Sequence, residues 1–262
     1  MEEIEKTKKS LSAIFIISII ACITVAEYVF AYMDVSYGIL LALLITLTIY
    51  IVVSVTIKKV SRSLVNCAES LALIPLYILF TSSLPWFFID QQFLLPAVYS
   101  TILALCFWHV YYKDISLTEI GFRKDNMLRY LLLGLCLGVP LGTMEYFIIT
   151  PAPAFPTFEF KYLLRDLFYM VFFVGLAEEL LFRGLVQRDL TNMFSARWGL
   201  LGASFLFMVM HLTWRSVPEL GFTFLAGMIL GYIYQKTNSL VAPIFLHGVA
   251  NTMLVAVLPY LW

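Results

Sequence analysis

Charged side chains make up only 13% of this 262-residue sequence, against about 25% in an ordinary soluble domain. The 17 basic and 17 acidic residues cancel. There is therefore no basic excess to meet nucleic-acid phosphates, and no nucleic-acid partner is expected. Nor is there an acidic, disordered tail. Cysteine is equally sparse: Cys22, Cys67, Cys106 and Cys136 each sit in an apolar stretch, with no CxxC. They read as small buried hydrophobes, which excludes a disulfide framework and a cysteine zinc site. Histidine occurs three times, and HExxH, the helical zinc-protease motif, is missing. What fills the sequence instead is apolar: 61% of residues are hydrophobic. A soluble globule has no interior large enough for that share. The chain is expected to be all-α, a multi-pass transmembrane helix bundle. No polar linker divides it, so residues 1–262 read as one membrane domain.

Nine segments are apolar enough over the roughly 20 residues that a spanning helix needs. They are Ser10–Met33, Ser36–Ile57, Leu64–Ile89, Phe93–Tyr112, Tyr130–Ile149, Leu163–Leu190, Trp198–Leu212, Pro218–Gln235 and Leu240–Trp262. Trp198–Leu212 is short, and Pro75 and Pro85 interrupt the third, so eight to nine spans are expected. Lys and Arg orient the chain. With the N-terminus cytoplasmic, the inner segments hold Lys6, Lys8, Lys9, Lys58, Lys59, Arg62, Lys113, Arg123, Lys124, Arg129, Arg188, Arg197 and Lys236. The outer ones hold only Lys161, Arg165 and Arg215. The charged start MEEIEKTKKS runs into the first span without a small-residue cleavage site, so that span reads as retained. The long inner loop from Lys113 to Arg129 has room for a surface helix. Gly134, Gly138 and Gly142, and again Gly227 and Gly231, recur every four residues, the spacing that lets helix backbones approach closely.

Ionisable groups inside a membrane cost at least about 2.5–3.5 kcal/mol on insertion scales, so each asks for a reason. Glu27, Glu69 and Glu145 are single carboxylates and read as paired or neutral packing residues. His109, beside Trp108, Tyr111 and Tyr112, reads as an interfacial residue. The last hundred residues differ. The sixth span carries Glu178, Glu179 and Arg183, the seventh Phe207 and His211, the ninth His247 and Asn251. At about 1.5 Å of rise per residue, the three helices place these groups in one layer, roughly 10–20 Å from their inner ends. Residues four apart share a helix face, so Glu179 meets Arg183, Phe207 flanks His211, and His247 sides with Asn251. A carboxylate and an imidazole in this arrangement can share a water and take its proton, while hydrogen-bond donors facing a developing oxyanion stabilise it. A zinc site of His211, His247 and Glu178 stays open on ligand chemistry alone.

The motifs EExxxR (Glu178, Glu179, Arg183), FxxxH (Phe207, His211) and HxxxN (His247, Asn251), in that order, resemble the CAAX protease and bacteriocin-processing family. Its type II CAAX prenyl endopeptidases are Ras-converting enzymes. The resemblance covers roughly Leu163 to Trp262. It implies an intramembrane glutamate-type endopeptidase with a catalytic core at about residues 130–262 and variable N-terminal helices at about 10–112. Glu178 and His211 would activate the water, and His247 and Asn251 would hold the oxyanion. Glu179, Arg183 and Phe207 would support them. It implies no cofactor and no metal. The implied substrate is a prenylated or otherwise membrane-anchored peptide near the inner leaflet, a CAAX-type tail that loses its C-terminal tripeptide. A non-enzymatic peptide-binding or immunity protein of the same family is the alternative, and a proton-coupled transporter is a further one. The bilayer itself is the other partner. The plasma membrane of a prokaryote and the endoplasmic reticulum membrane fit equally.

Overall fold

The computed structural model describes residues 2–123 and 126–261, with side chains from Ser10 onward. Lys124 and Trp262 lie outside the described residues, as do the side chains of Lys6, Lys8 and Lys9. The fold is all-helical, with 83% helix and, among the described residues, no strands. Seven helices are long and apolar enough to cross a membrane: Ser10–Met33, Val35–Thr56, Arg62–Ser82, Gln91–Tyr112, Met127–Ile149, Val217–Thr237 and Val241–Tyr260. Together they make this an integral membrane protein of the multi-pass helical class.

In chain order, α1 is Glu2–Tyr28, extended by a wide-turn segment at Val29–Met33. Helices α2 (Val35–Thr56), α3 (Arg62–Ser82), α4 (Gln91–Tyr112) and α5 (Met127–Ile149) follow. Asp34 stops α1 and caps α2, its carboxylate accepting from the Ser36 and Tyr37 amides. The third span ends at Ser82, short of the expected Ile89. The backbone there turns towards Pro85, which cannot supply a helical N–H. In α3, 72% of the spanning window is buried, against 28% in α1 and in α2. So α3 is a central helix, and α1 and α2 lie at the edge with apolar side chains facing outward. The loop after α4 is a series of turns rather than a surface helix. It closes onto the bundle through buried Ile120 and a 2.8 Å bond from the Leu240 amide to the Gly121 carbonyl.

The two expected spans outside that set of seven both carry site residues. Residues 160–193 run as one helical path of five pieces. These are α6 (Phe160–Tyr169), a π-helical stretch (Met170–Gly175), α7 (Leu176–Glu179), a second π-helical stretch (Leu180–Gln187) and α8 (Arg188–Met193). Glu178 and Glu179 thus sit between two widened segments, a geometry common at functional sites. The other is α9, Ala196–Val209, only 14 residues long. Then come α10 (Val217–Thr237) and α11 (Val241–Thr252), which continues to Tyr260 in wider and tighter turns.

Glycine spacing sets how closely these helices meet. A Cβ on Gly134 or Gly138 would stand 2.9 Å from the Leu246 amide nitrogen or 2.7 Å from its carbonyl oxygen, so α5 packs directly on the α11 backbone. A Cβ on Gly175 would lie 2.7 Å from the Ile244 carbonyl, and one on Gly248 2.6 Å from Val171. Those two glycines bring the 160–193 path against α11. His109 is turned inward and 2% exposed, while Trp108, Tyr111 and Tyr112 remain on the outer surface. His109 therefore does not fit the interfacial reading, because its side of α4 faces the bundle.

Candidate active site

A cavity of about 200 Å³ is lined by Glu178, Phe207, His211, His247 and Asn251 together. Three different parts of the chain bring these five residues together there. Tyr99 of α4 reaches the same cavity, and its hydroxyl donates to Glu178 Oε1 at 2.9 Å. Glu178 Oε2 is buried without a hydrogen-bond partner in the protein. A buried acceptor left open beside a cavity is the atom able to receive a proton-bearing group bound there.

The two histidines are held differently. His211 Nδ1 lies 2.8 Å from the Phe207 carbonyl oxygen. A carbonyl only accepts, so Nδ1 carries the proton, and Nε2 keeps its lone pair in the neutral ring. That is the tautomer a base requires. His247 Nδ1 lies 2.8 Å from Glu179 Oε1, and its Nε2 is 3.8 Å from Glu178 Oε2. The carboxylate at Nδ1 can balance a charged imidazolium, and in that form Nε2 also carries a proton and donates. Phe207 separates and walls both imidazoles, with ring centroids 4.8 Å from His211 and 5.8 Å from His247.

Behind the cavity lies a fully buried polar row. Arg183 donates to Glu179 at 2.8 Å and to the Gly227 carbonyl at 3.2 Å. Its guanidinium also covers the Phe207 ring at 4.6 Å, a cation–π contact. One turn on, Gln187 donates to the Gly231 carbonyl at 3.0 Å. Glu179, Arg183 and Gln187 are four residues apart in succession, as are Gly227 and Gly231, so one helix face reads the exposed carbonyls of the other. Glu179 and Arg183 do not line the cavity. Glu179 reaches it only through His247.

Three polar residues of the site fall outside the motifs. Gln187 continues the four-residue spacing of Glu179 and Arg183, and that signal was readable. Glu145 of α5 lines the cavity, rather than being a remote packing carboxylate. Tyr99 carries no local signal, because its partner is 79 residues away. Gly202–Ala203–Ser204 spells a serine-nucleophile triplet. Yet Ser204 is 1% exposed, its hydroxyl has no hydrogen-bond partner, and it packs where Gly227 passes. Nothing there acts as its base. Among the described residues, no three His, Cys, Asp or Glu side chains converge as a metal-ligand set. Of the other single carboxylates, Glu69 pairs with Lys113, and Glu27 stays buried with one oxygen unpartnered.

Tyr99→Phe removes a hydrogen bond to a carboxylate, an interaction of about 1.5–3 kcal/mol. It is expected to lower kcat/KM by about tenfold or more, as such a free-energy loss dictates, and to lower thermal stability by no more than that one hydrogen bond is worth. Unchanged kinetics would show that Tyr99 does not orient Glu178.

Residues 160–253 match the model of the family described as Type II CAAX prenyl endopeptidase Rce1-like. No curated protein and no solved structure matches the chain. The matched segment holds all seven motif residues and excludes Tyr99 and Glu145.

Proposed function

From the match of residues 160–253 to the Rce1-like family, we propose that this protein is an intramembrane endopeptidase. The family is one of membrane proteases. The observation that carries the mechanism is the different acceptor at each Nδ1: a neutral backbone carbonyl at His211, which leaves Nε2 of the neutral ring as base, and a carboxylate at His247, whose negative charge can hold an imidazolium with Nε2–H as donor. In the proposed reaction, a water bound between Glu178 Oε2 and His211 Nε2 loses its proton to this pair and attacks the scissile carbonyl. The negative charge that develops on the carbonyl oxygen is met by His247 Nε2–H and the Asn251 amide. The proton then passes to the leaving amine, and the peptide bond breaks. The proposed substrate is a membrane-anchored peptide, and the prenylated CAAX-type tail is the member of that class that the family name supplies.

The test is cleavage of quenched-fluorescent peptides, prenylated and unprenylated, by the purified chain in detergent. Turnover that depends on the lipid supports the finer reading. No turnover of any membrane-anchored peptide would favour the non-enzymatic peptide-binding alternative. Activity lost on chelation and restored by zinc would replace the water-sharing pair with a zinc-bound water. Asn251→Ala is expected to lower kcat by about 10²–10³, the usual cost of one oxyanion donor, with KM little changed. A change in KM alone would make Asn251 a substrate-binding residue.

A further inference from the structure

Two carboxylates line the catalytic cavity, Glu178 and Glu145, and the proposed reaction uses only the first. Glu145 belongs to α5. Three residues earlier, a Cβ on Gly142 would collide with the Ala250 carbonyl of α11, and one residue later Tyr146 packs with Leu254. Steps of four residues on both helices thus keep them in register. That register puts Glu145 on the wall that carries His247 and Asn251. Glu178 and His211 enter from the 160–193 path and from just past the end of α9.

Glu145 is 9% exposed, and among the described residues no group forms a hydrogen bond or ion pair with its carboxylate. No Lys or Arg lines the cavity. The charged groups within electrostatic reach of Glu145 are Glu219, His247 and Glu178. Glu219, in the first turn of α10, is itself fully buried with both carboxylate oxygens unpartnered. Of the three, only His247 can be positive, and its Nδ1 already faces Glu179. A buried carboxylate without a partner is costly. One that faces a cavity is completed by a donor or a positive charge brought into that cavity.

The substrate narrows what that group is. The oxyanion and the terminal carboxylate of a cleaved tail are negative, and Glu145 repels both. The scissile N–H is a donor, and its nitrogen becomes positive on taking the proton from Glu178 and His211. A fixed charge facing the place where opposite charge develops favours the transition state over the bound substrate.

We propose that Glu145 is a further catalytic residue: its carboxylate accepts a hydrogen bond from the scissile nitrogen and stabilises the positive charge formed there as the peptide bond breaks. This rests on the endopeptidase reading. The water oxygen bonds to the carbonyl carbon, and the C–N bond breaks with its electron pair staying on nitrogen. The proton moves from the water through Glu178 and His211 to that nitrogen. Glu145 gains and loses no proton.

The experiment compares one prenylated, quenched-fluorescent peptide in two forms, with the scissile amide and with an ester oxygen in place of its N–H. The ester offers Glu145 no donor, and its leaving oxygen departs as a neutral alcohol. Both are given to the full chain and to Glu145→Gln, which keeps the side chain's size and removes its charge. The ratio of amide to ester kcat/KM is expected to fall by about tenfold or more in Glu145→Gln, the size set by one hydrogen bond to a charged group. Each ratio is taken within one preparation, so it does not depend on how much of the variant folds. An unchanged ratio, whether both rates fall together or neither does, overturns the assignment and leaves Glu145 a structural or general binding residue. A parent chain that cleaves neither form ends the endopeptidase reading and the inference with it. A parent that cleaves both while the ratio stays fixed in the variant ends the Glu145 assignment alone.

Discussion

Glu178→Ala is expected to abolish measurable peptide cleavage, with kcat lowered by about 10²–10⁴, the contribution of a positioned acid–base group. The fold is expected to survive. Glu178 is tied to the protein by one hydrogen bond, from Tyr99 at 2.9 Å, and its other oxygen has no partner. Truncation therefore removes a group facing a cavity and strands no buried cation. His211→Ala is expected to match it, since both would hold the same water, and the double variant should be little worse than either single. Initial-rate kinetics together with thermal unfolding in detergent check this. A Glu178→Ala protein that keeps near-native kcat would end the shared-base assignment. One that loses activity and melts far below the parent would make Glu178 a structural residue.

What was legible in the sequence follows from distance along the chain. Glu179 with Arg183 and Phe207 with His211 are set by the helix repeat alone, and both contacts stand in the structure. The convergence of Glu178, His211, His247 and Asn251 was legible only as a shared depth, and the cavity they line is where three helices bring that layer together. The contact of His247 with Glu179 was not legible. It spans 68 residues and depends on Gly175 and Gly248 letting two backbones touch. The helix repeat alone paired His247 with Asn251 and left its other neighbour open. Tyr99 was invisible for the same reason, and its helix carries no motif. Span counting succeeded where helices are uniformly apolar. It lost sharpness in residues 160–193 and 196–209, where the polar site residues dilute the hydrophobic signal that defines a span.

The buried row behind the cavity gives the largest expected effect on stability. Arg183 is 1% exposed and Glu179 0%. Arg183→Ala leaves the Glu179 carboxylate with His247 alone, and Glu179→Ala leaves a guanidinium with one carbonyl and an aromatic face. Breaking a buried pair from one side costs about 3–5 kcal/mol, because an uncompensated charge remains. Each single variant is expected to lose that much, and Glu179→Ala with Arg183→Ala to recover part of it, since neither charge is then stranded. Thermal unfolding of the singles and the double in detergent measures the coupling. A double variant destabilised by the plain sum of the singles would show that the pair is not coupled. Activity should separate from stability in this set. His247 Nδ1 is held only by Glu179, so the double variant regains fold without regaining the anchor that aims Nε2 at the cavity. It is therefore expected to melt closer to the parent than either single and to cleave no faster than Glu179→Ala. Arg183→Lys distinguishes charge from shape. One ammonium cannot span Glu179 and the Gly227 carbonyl as the two guanidinium nitrogens do, so lysine should restore part of the stability and leave α10 less firmly docked.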